Sequence, residues 1–372
     1  VAGGASRPAR IDPARLPRLR AAAQLLQRPV AMRDPVELAR AIAGVQAQDV
    51  YAGPLSFRSR SRSLTAADIE RARTEERSLL RTWVMRMTIH MIPADDAGWM
   101  LPLFEPGIEA WSRRRLGQFG MPRQTQDKAL RAIEKALESE GPLTRPEAAE
   151  RVVSAGAELS RETRLHVAML AVTSGIACLG PDRGRSTCLV LRREWLGELP
   201  GSDRGTALAE LARRYLRAFG PATERDFAYW SGLSLGEVRA GLSAIAGELV
   251  ESHCGEETLL TLKAQRRRLP PAGSIRMLGA FDTYMLGYRD RGFAVAPEDA
   301  AVVKEGGGGW IWPVIVEDGR VIGGWRSKRA KGGLEVELRP LRRFDDTVRT
   351  AIGAEIEDIA RFEAAPVTVV DD

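Results

Sequence analysis

One short pattern constrains the architecture of this chain more than any other feature. Gly141-Pro142-Leu143-Thr144 recurs as Gly220-Pro221-Ala222-Thr223, each time just ahead of a helical stretch, with each threonine placed to cap the helix that follows. In the later copy a helix over 224–230 meets Ser231-Gly232-Leu233-Ser234, and Ser234 opens a second helix over 235–246. That is helix-turn-helix grammar. Residues 249–252 and 258–262 would then pair around His253-Cys254-Gly255-Glu256 as a wing. Near the earlier copy, 176–179 and 187–192 flank the basic turn Gly180-Pro181-Asp182-Arg183-Gly184-Arg185, which also reads as a wing.

A third such unit precedes both. Leu16, Leu19, Ala22, Ala23 and Leu26 predict a helix over 14–27, and Asp34-Pro35 opens another that runs through Ile42 and ends at Gly44. Thr65-Ala66-Ala67-Asp68 has the form of a capping box, and 80–92 reads as one extended strand. After Pro270-Pro271 the texture changes to short apolar runs broken by glycine, over 310–316, 320–326 and 334–338, which indicate a small β-rich domain. Between two of those runs, Ser327-Lys328-Arg329-Ala330-Lys331-Gly332-Gly333 is a hairpin tip with three cations, either a solvated turn or a probe for DNA. The expected organisation is a flexible tail over 1–12, winged helices over 13–122, 123–203 and 204–270, and the β-rich domain over 271–372.

Composition narrows the function. At 372 residues and 44% hydrophobic, the chain is long enough for several domains and apolar enough to fill their cores. Its most apolar stretch, 165–180, is interrupted by His166, Thr173, Ser174 and Gly175, so no transmembrane helix is expected. Residues 1–10 lack an apolar core of the secretory kind, and the expected location is the cytoplasm. Three cysteines and three histidines in no ligand spacing make a metal site improbable, and no metal or cofactor is expected. The net charge of +6 suits a polyanionic partner. Six of the 55 cations are lysine and the rest arginine, whose planar fork suits phosphate, though a GC-rich genome favours arginine as well.

No GxSxG, Walker A, HExxH or GxGxxG in a strand-to-helix context is present, and Gly306 to Gly309 reads as a loop. Two segments hold unexplained polar groups. Val45-Gln46-Ala47-Gln48-Asp49 sets two amides and a carboxylate just past a helix end, where they either satisfy terminal carbonyls or serve chemistry. Along the 80–92 strand, period two puts Trp83, Met85, Met87, Ile89 and Met91 on one face. Arg86, Thr88 and His90 then form a polar stripe on the other.

These segments resemble a known family, the bacterial winged-helix DNA glycosylases of the AlkZ and YcaQ type, which includes self-resistance enzymes of antibiotic-producing actinobacteria. The resemblance is carried by 44–49, by Arg81-Thr82-Trp83-Val84-Met85-Arg86-Met87-Thr88-Ile89-His90, by 180–185, and by Gly279-Ala280-Phe281-Asp282-Thr283-Tyr284-Met285-Leu286-Gly287-Tyr288-Arg289-Asp290-Arg291. It implies an α+β fold of three tandem winged helices plus a C-terminal β-barrel-like domain, C-shaped. Gln46-Ala47-Gln48 matches the family's Gln-x-Gln form, so Gln46 and Gln48 inherit the catalytic role, with Asp49, Arg86, Thr88 and His90 as supporting residues. Two positions depart from the pattern. Met87 stands where glycine is expected in many relatives, and Ala47 is smaller than the usual apolar residue.

Glutamine suffices for this chemistry if the lesion activates itself. An N7-alkylated guanine is cationic, so breaking its N-glycosidic bond releases a neutral base and needs no strong general acid. What remains is to stabilise the oxocarbenium at C1′ and orient a water, which an amide dipole does by position. A guanine tethered to the opposite strand cannot rotate out, so a crosslink enzyme must meet the duplex without a closed pocket. Arg326, Lys328, Arg329 and Lys331 would grip DNA. No lysine lies near the glutamines in sequence, which argues against Schiff-base lyase chemistry. The expectation is a monomeric, monofunctional, cofactor-free glycosylase acting on double-stranded alkylated or crosslinked DNA, with no membrane partner. The rivals are a winged-helix transcriptional regulator without catalysis, in which 235–246 reads the major groove, and a protein that sequesters the free toxin.

Overall fold

The two Gly-Pro-x-Thr copies do the same structural work. Thr144 Oγ1 accepts from the Glu147 N–H while the Glu147 carboxylate accepts from the Thr144 N–H, so the Arg145–Ser154 helix starts in a reciprocal capping box. Thr223 with Asp226 repeats this at the head of Glu224–Ser231, and Ser234 with Glu237 at the head of Leu235–Ala244. The residue before each threonine bridges to a hairpin strand, Leu143 to Leu189 and Ala222 to Leu260. The repeat read in the sequence is therefore a repeat of cap and strand bridge together.

The structure, a computed structural model, describes residues 9–184, 186–265, 269, 271–301 and 311–370. The fold is mixed α+β, and the chain divides into two compact units, one of 1–69 with 208–372 and one of 70–207.

In the 70–207 unit the strands lie in the order Ile89–Pro93, Leu79–Trp83, Ala177–Arg183, Ser186–Leu191, Leu143–Thr144, each antiparallel to its neighbour. Helices Ala97–Gln118 and Arg161–Thr173 pack together and bury Met100, Leu101, Leu170 and Val172. The 80–92 segment is not one strand. It is a hairpin that pairs Thr82 with His90 and Trp83 with Ile89, and it turns over through Met85–Met87, where Arg86 and Met87 have φ of 54° and 57°. No glycine or asparagine marks that turn in the sequence, which is why period two ran straight through it. The expected polar stripe of Arg86, Thr88 and His90 consequently does not form. The turn expected at 180–185 is mostly strand too, with a register shift between Leu179 and Asp182, and Arg185 lies outside the described residues. Arg183 there pairs with Glu147 at 2.9 Å.

In the other unit, Leu249–Cys254 and Glu257–Leu262 pair as an antiparallel hairpin where a wing was expected, slightly longer than anticipated, around Gly255 and Glu256. Ala9 and Arg10 pair parallel with Ser252 and His253, so the end of the supposed 1–12 tail is built into this unit. The helix expected over 14–27 is Leu16–Ala23, preceded by a short 3-10 turn over Pro13–Arg15. The expected caps at Asp34 and Thr65 are made.

Toward the C-terminus, Ile275–Leu278, Val314–Glu317, Arg320–Ala330, Gly333–Pro340 and Val367–Val370 form one sheet in chain order, antiparallel until the last pair, which is parallel. The Asp346–Glu363 helix covers it, with Val348, Ile352, Ile356 and Ile359 packed on Met277, Ile315, Trp325 and Val336. The β-rich expectation for this region found the three middle strands and missed that helix and the two edges. The first apolar run becomes strand only from Val314, and the Gly306 to Gly309 loop lies outside the described residues. No helix among the described residues is long and apolar enough to cross a membrane.

Candidate active site

The glutamine segment is a short extended passage fixed at both ends. Its helix, Pro35–Ala41, begins with Asp34 accepting from the Val36 N–H at 2.7 Å and stops at Ala43 and Gly44, both with positive φ. The Gly44 N–H returns to Ala39 O at 2.7 Å, closing the end. Val45, Gln46 and Ala47 are then buried at 0%, 5% and 1% exposure, and Gln48 emerges exposed. The two amides thus have different surroundings, and Gln48 is the one open to a large substrate.

Asp49 ties down the other end. Its Oδ1 accepts from the Tyr51 and Ala52 N–H groups at 2.8 and 2.9 Å, heading the Ala52–Arg58 helix. Its observed work is to hold the loop's backbone, whereas the sequence had offered it as a supporting charge. The far end of the helix is anchored in turn. Arg58 binds Glu355 at 3.0 Å and the Met277 carbonyl, while Arg60 binds both oxygens of Asp282 at 2.8 Å. Ser56 Oγ donates to Asp282 at 2.9 Å.

The 279–291 segment, the longest stretch of the family resemblance, forms the seat of this helix. A side chain at Gly279 would meet Ala52 O and Leu55 Cβ, each at 3.1 Å, so glycine permits the close approach. Thr283 Oγ1 donates to Gln24 at 2.9 Å, Tyr284 Oη to Gly319 O at 2.7 Å and Tyr288 Oη to Phe219 O at 2.9 Å. All three side chains are buried. The segment carries much of the family resemblance, and in the fold it acts as scaffold.

The basic hairpin reaches the same loop. Its strands extend so far that only Lys331 and Gly332 form the tip. The Arg329 guanidinium lies 5.3 Å from the Tyr51 ring centroid and also pairs with Glu363 at 2.7 Å. Arg326 stacks over Trp312 at 4.3 Å, while Lys328 and Lys331 are exposed. Sequence separation had kept lysines away from the glutamines; the fold brings their hairpin to Tyr51, three residues past Gln48. Tyr51 itself escaped the sequence reading. It is 56% exposed, the most exposed large hydrophobic side chain among the described residues, and its only sequence signal was an aromatic within a polar loop.

The other expected site residues belong to the 70–207 unit. Arg86 and Thr88 are half-buried in the 84–88 turn, where Thr88 Oγ1 donates to Met85 O at 2.9 Å. His90 is 2% exposed with Nδ1 3.1 Å from Thr88 O. Burial, reinforced by the Arg86 charge, pushes its pKa down to about 3, so it is neutral at physiological pH.

An exposed amide on a doubly anchored loop, beside a cationic hairpin, defines a site suited to a polyanionic substrate and to catalysis by orientation. The chain belongs to the AlkZ-like family of DNA glycosylases, whose model, described as "DNA glycosylase AlkZ-like", matches residues 39–362. It is 31% identical over 343 residues to an interstrand DNA cross-link repair glycosylase of Streptomyces sahachiroi, covering 87% of this chain and 88% of that one. The solved structure of the Streptomyces sahachiroi DNA glycosylase AlkZ superposes with a TM-score of 0.78 at 26% identity, over 97% of this chain and all of that chain.

Proposed function

We propose that this glycosylase hydrolyses the N-glycosidic bond of N7-alkylguanine in double-stranded DNA, interstrand crosslinks from a genotoxic natural product included, with Gln48 at the sugar and Gln46 beside it. The observation that carries the reading is the contrast between the two amides. Gln48 is exposed at the point where the anchored loop turns outward, and Gln46 is buried one alternation earlier. An amide oxygen held there stabilises positive charge at C1′ and orients a water, while the cationic base departs neutral and needs no acid. Arg326, Lys328, Arg329 and Lys331 supply the grip on phosphates.

In this reading the chain comprises winged helices over 13–122, 123–203 and 204–270 and a β-barrel-like domain over 271–372, a division supported by the matched cap-and-bridge pairs at Leu143-Thr144 and Ala222-Thr223. The protein acts as a monomer without cofactor and protects its host's DNA. The name of the Streptomyces relative supports crosslinks as substrates. A regulator that reads sequence through the 235–244 helix is disfavoured, because both of its long polar side chains are engaged. Arg239 pairs with Glu224 at 2.6 Å and Glu237 closes the capping box with Ser234.

The test is incubation with methylated duplex DNA and with a defined N7-guanine crosslink, followed by analysis of the products. Free 7-methylguanine, unhooked strands and abasic sites are expected, and borohydride should trap no protein–DNA adduct. Sequence-specific binding to undamaged DNA without base release contradicts the proposal.

A further inference from the structure

We infer that Tyr51 is the specificity residue of this site, its ring serving as the face against which the cationic purine packs. The inference rests on the glycosylase reading above and adds a recognition element to it. Three observations converge on this side chain. Tyr51 is the most exposed large hydrophobic side chain among the described residues, on a surface whose partner is hydrophilic DNA. It stands three residues from Gln48, and the Asp49 carboxylate between them accepts the Tyr51 N–H at 2.8 Å and so ties down the intervening backbone. Its ring already meets a cation, the Arg329 guanidinium, at 5.3 Å.

The chemistry follows from the ring's quadrupole. An electron-rich aromatic face attracts a cation and stacks on a base, and an N7-alkylguanine is both at once. An undamaged guanine offers only the stacking. A ring fixed three residues from the amide therefore favours the charged lesion over the neutral base at the step where the sugar is brought to Gln48. Glu363, paired with Arg329 at 2.7 Å, offsets that guanidinium's charge and keeps a partner for it when the base takes the ring's face.

The experiment measures Kd for two duplexes that cannot be cleaved. One holds 2′-fluoro-7-methylguanine, which is cationic; the other holds 2′-fluoro-7-deaza-7-methylguanine, which has the same outline and no charge. The wild type should prefer the cationic duplex. Tyr51→Leu should reduce that preference roughly tenfold, and Tyr51→Phe should keep it within about twofold. An exposed ring makes both variants fold normally, which thermal unfolding verifies. An unchanged preference in Tyr51→Leu, or an equal loss in Tyr51→Phe, overturns the inference. Because neither duplex is cleaved, a protein that releases no base from methylated DNA would refute the reaction while leaving this comparison to be judged by itself.

Discussion

Arg60 and Asp282 form an ion pair at 2.8 Å with both side chains fully shielded from water. Burial alone would raise the Asp282 pKa, but the Arg60 charge and hydrogen bonds from Arg60, Tyr284 and Ser56 overcome it and hold the carboxyl below its usual range. The pair fastens the chain just past the Ala52–Arg58 helix to the 279–291 segment, and so sets where the glutamine loop can stand. Asp282→Ala should cost about 3–5 kcal/mol, because it leaves a buried guanidinium without its partner. Denaturant unfolding measures this. The stability supplied by a depressed carboxyl is full above its unfolded pKa of about 3.9 and is lost as pH falls through the folded value.

His90 gives a second pH dependence, in a different window. It is neutral in the fold, with its pKa pushed down to about 3, whereas an unfolded histidine titrates near 6.5. Between those values the unfolded chain binds the extra proton, so stability is complete above about pH 6.5 and declines as pH falls. Lowering pH from 6.5 to 5 should remove up to about 2 kcal/mol, and His90→Gln should flatten that part of the curve. A His90 imidazole that titrates near 6.5 by NMR contradicts the burial argument.

Met87→Gly should stabilise the protein. Met87 holds φ at 57° in an exposed turn, a conformation that costs a side chain about 1–2 kcal/mol and glycine almost nothing. After the greater freedom of glycine in the unfolded chain is subtracted, a gain of about 0.5 kcal/mol remains. A lower melting temperature for Met87→Gly would contradict the turn geometry.

That residue also shows what was legible in the sequence. The caps at Asp34, Thr65, Thr144, Thr223 and Ser234 were readable because a capping side chain and its partner lie within three residues of each other. The turn at Arg86 and Met87 was not, since positive φ there is imposed on residues that do not announce it. Glycine, expected at 87 from the family resemblance, would suit that backbone angle. In the site, Gln46 and Gln48 were legible as a motif and Asp49 caps within three residues, but the unequal exposure of the two amides and the meeting of Tyr51 with Arg329 depend on contacts between distant parts of the chain. No local pattern encodes those.

The hairpin cations should not contribute equally to DNA binding. Lys328 and Lys331 are exposed, while Arg329 is paired with Glu363 and Arg326 lies over Trp312. Changing Lys328 or Lys331 to Gln should each lower the slope of log K against log salt by about one. Arg329→Gln should lower it less, because Glu363 already neutralises that charge. Equal slopes for the wild type and the Lys328→Gln, Lys331→Gln double variant would remove the hairpin from the interface.

The proposed function assigns the catalytic work to an uncharged amide, Gln48. Single-turnover release of 7-methylguanine from methylated duplex DNA by wild type and by Gln48→Ala, at matched folding and matched DNA affinity, tests it most directly. Release by Gln48→Ala should be slowed at least about 100-fold with an unchanged melting temperature, in line with the loss of one oriented dipole at a developing charge. Release by Gln48→Ala at the wild-type rate would contradict it.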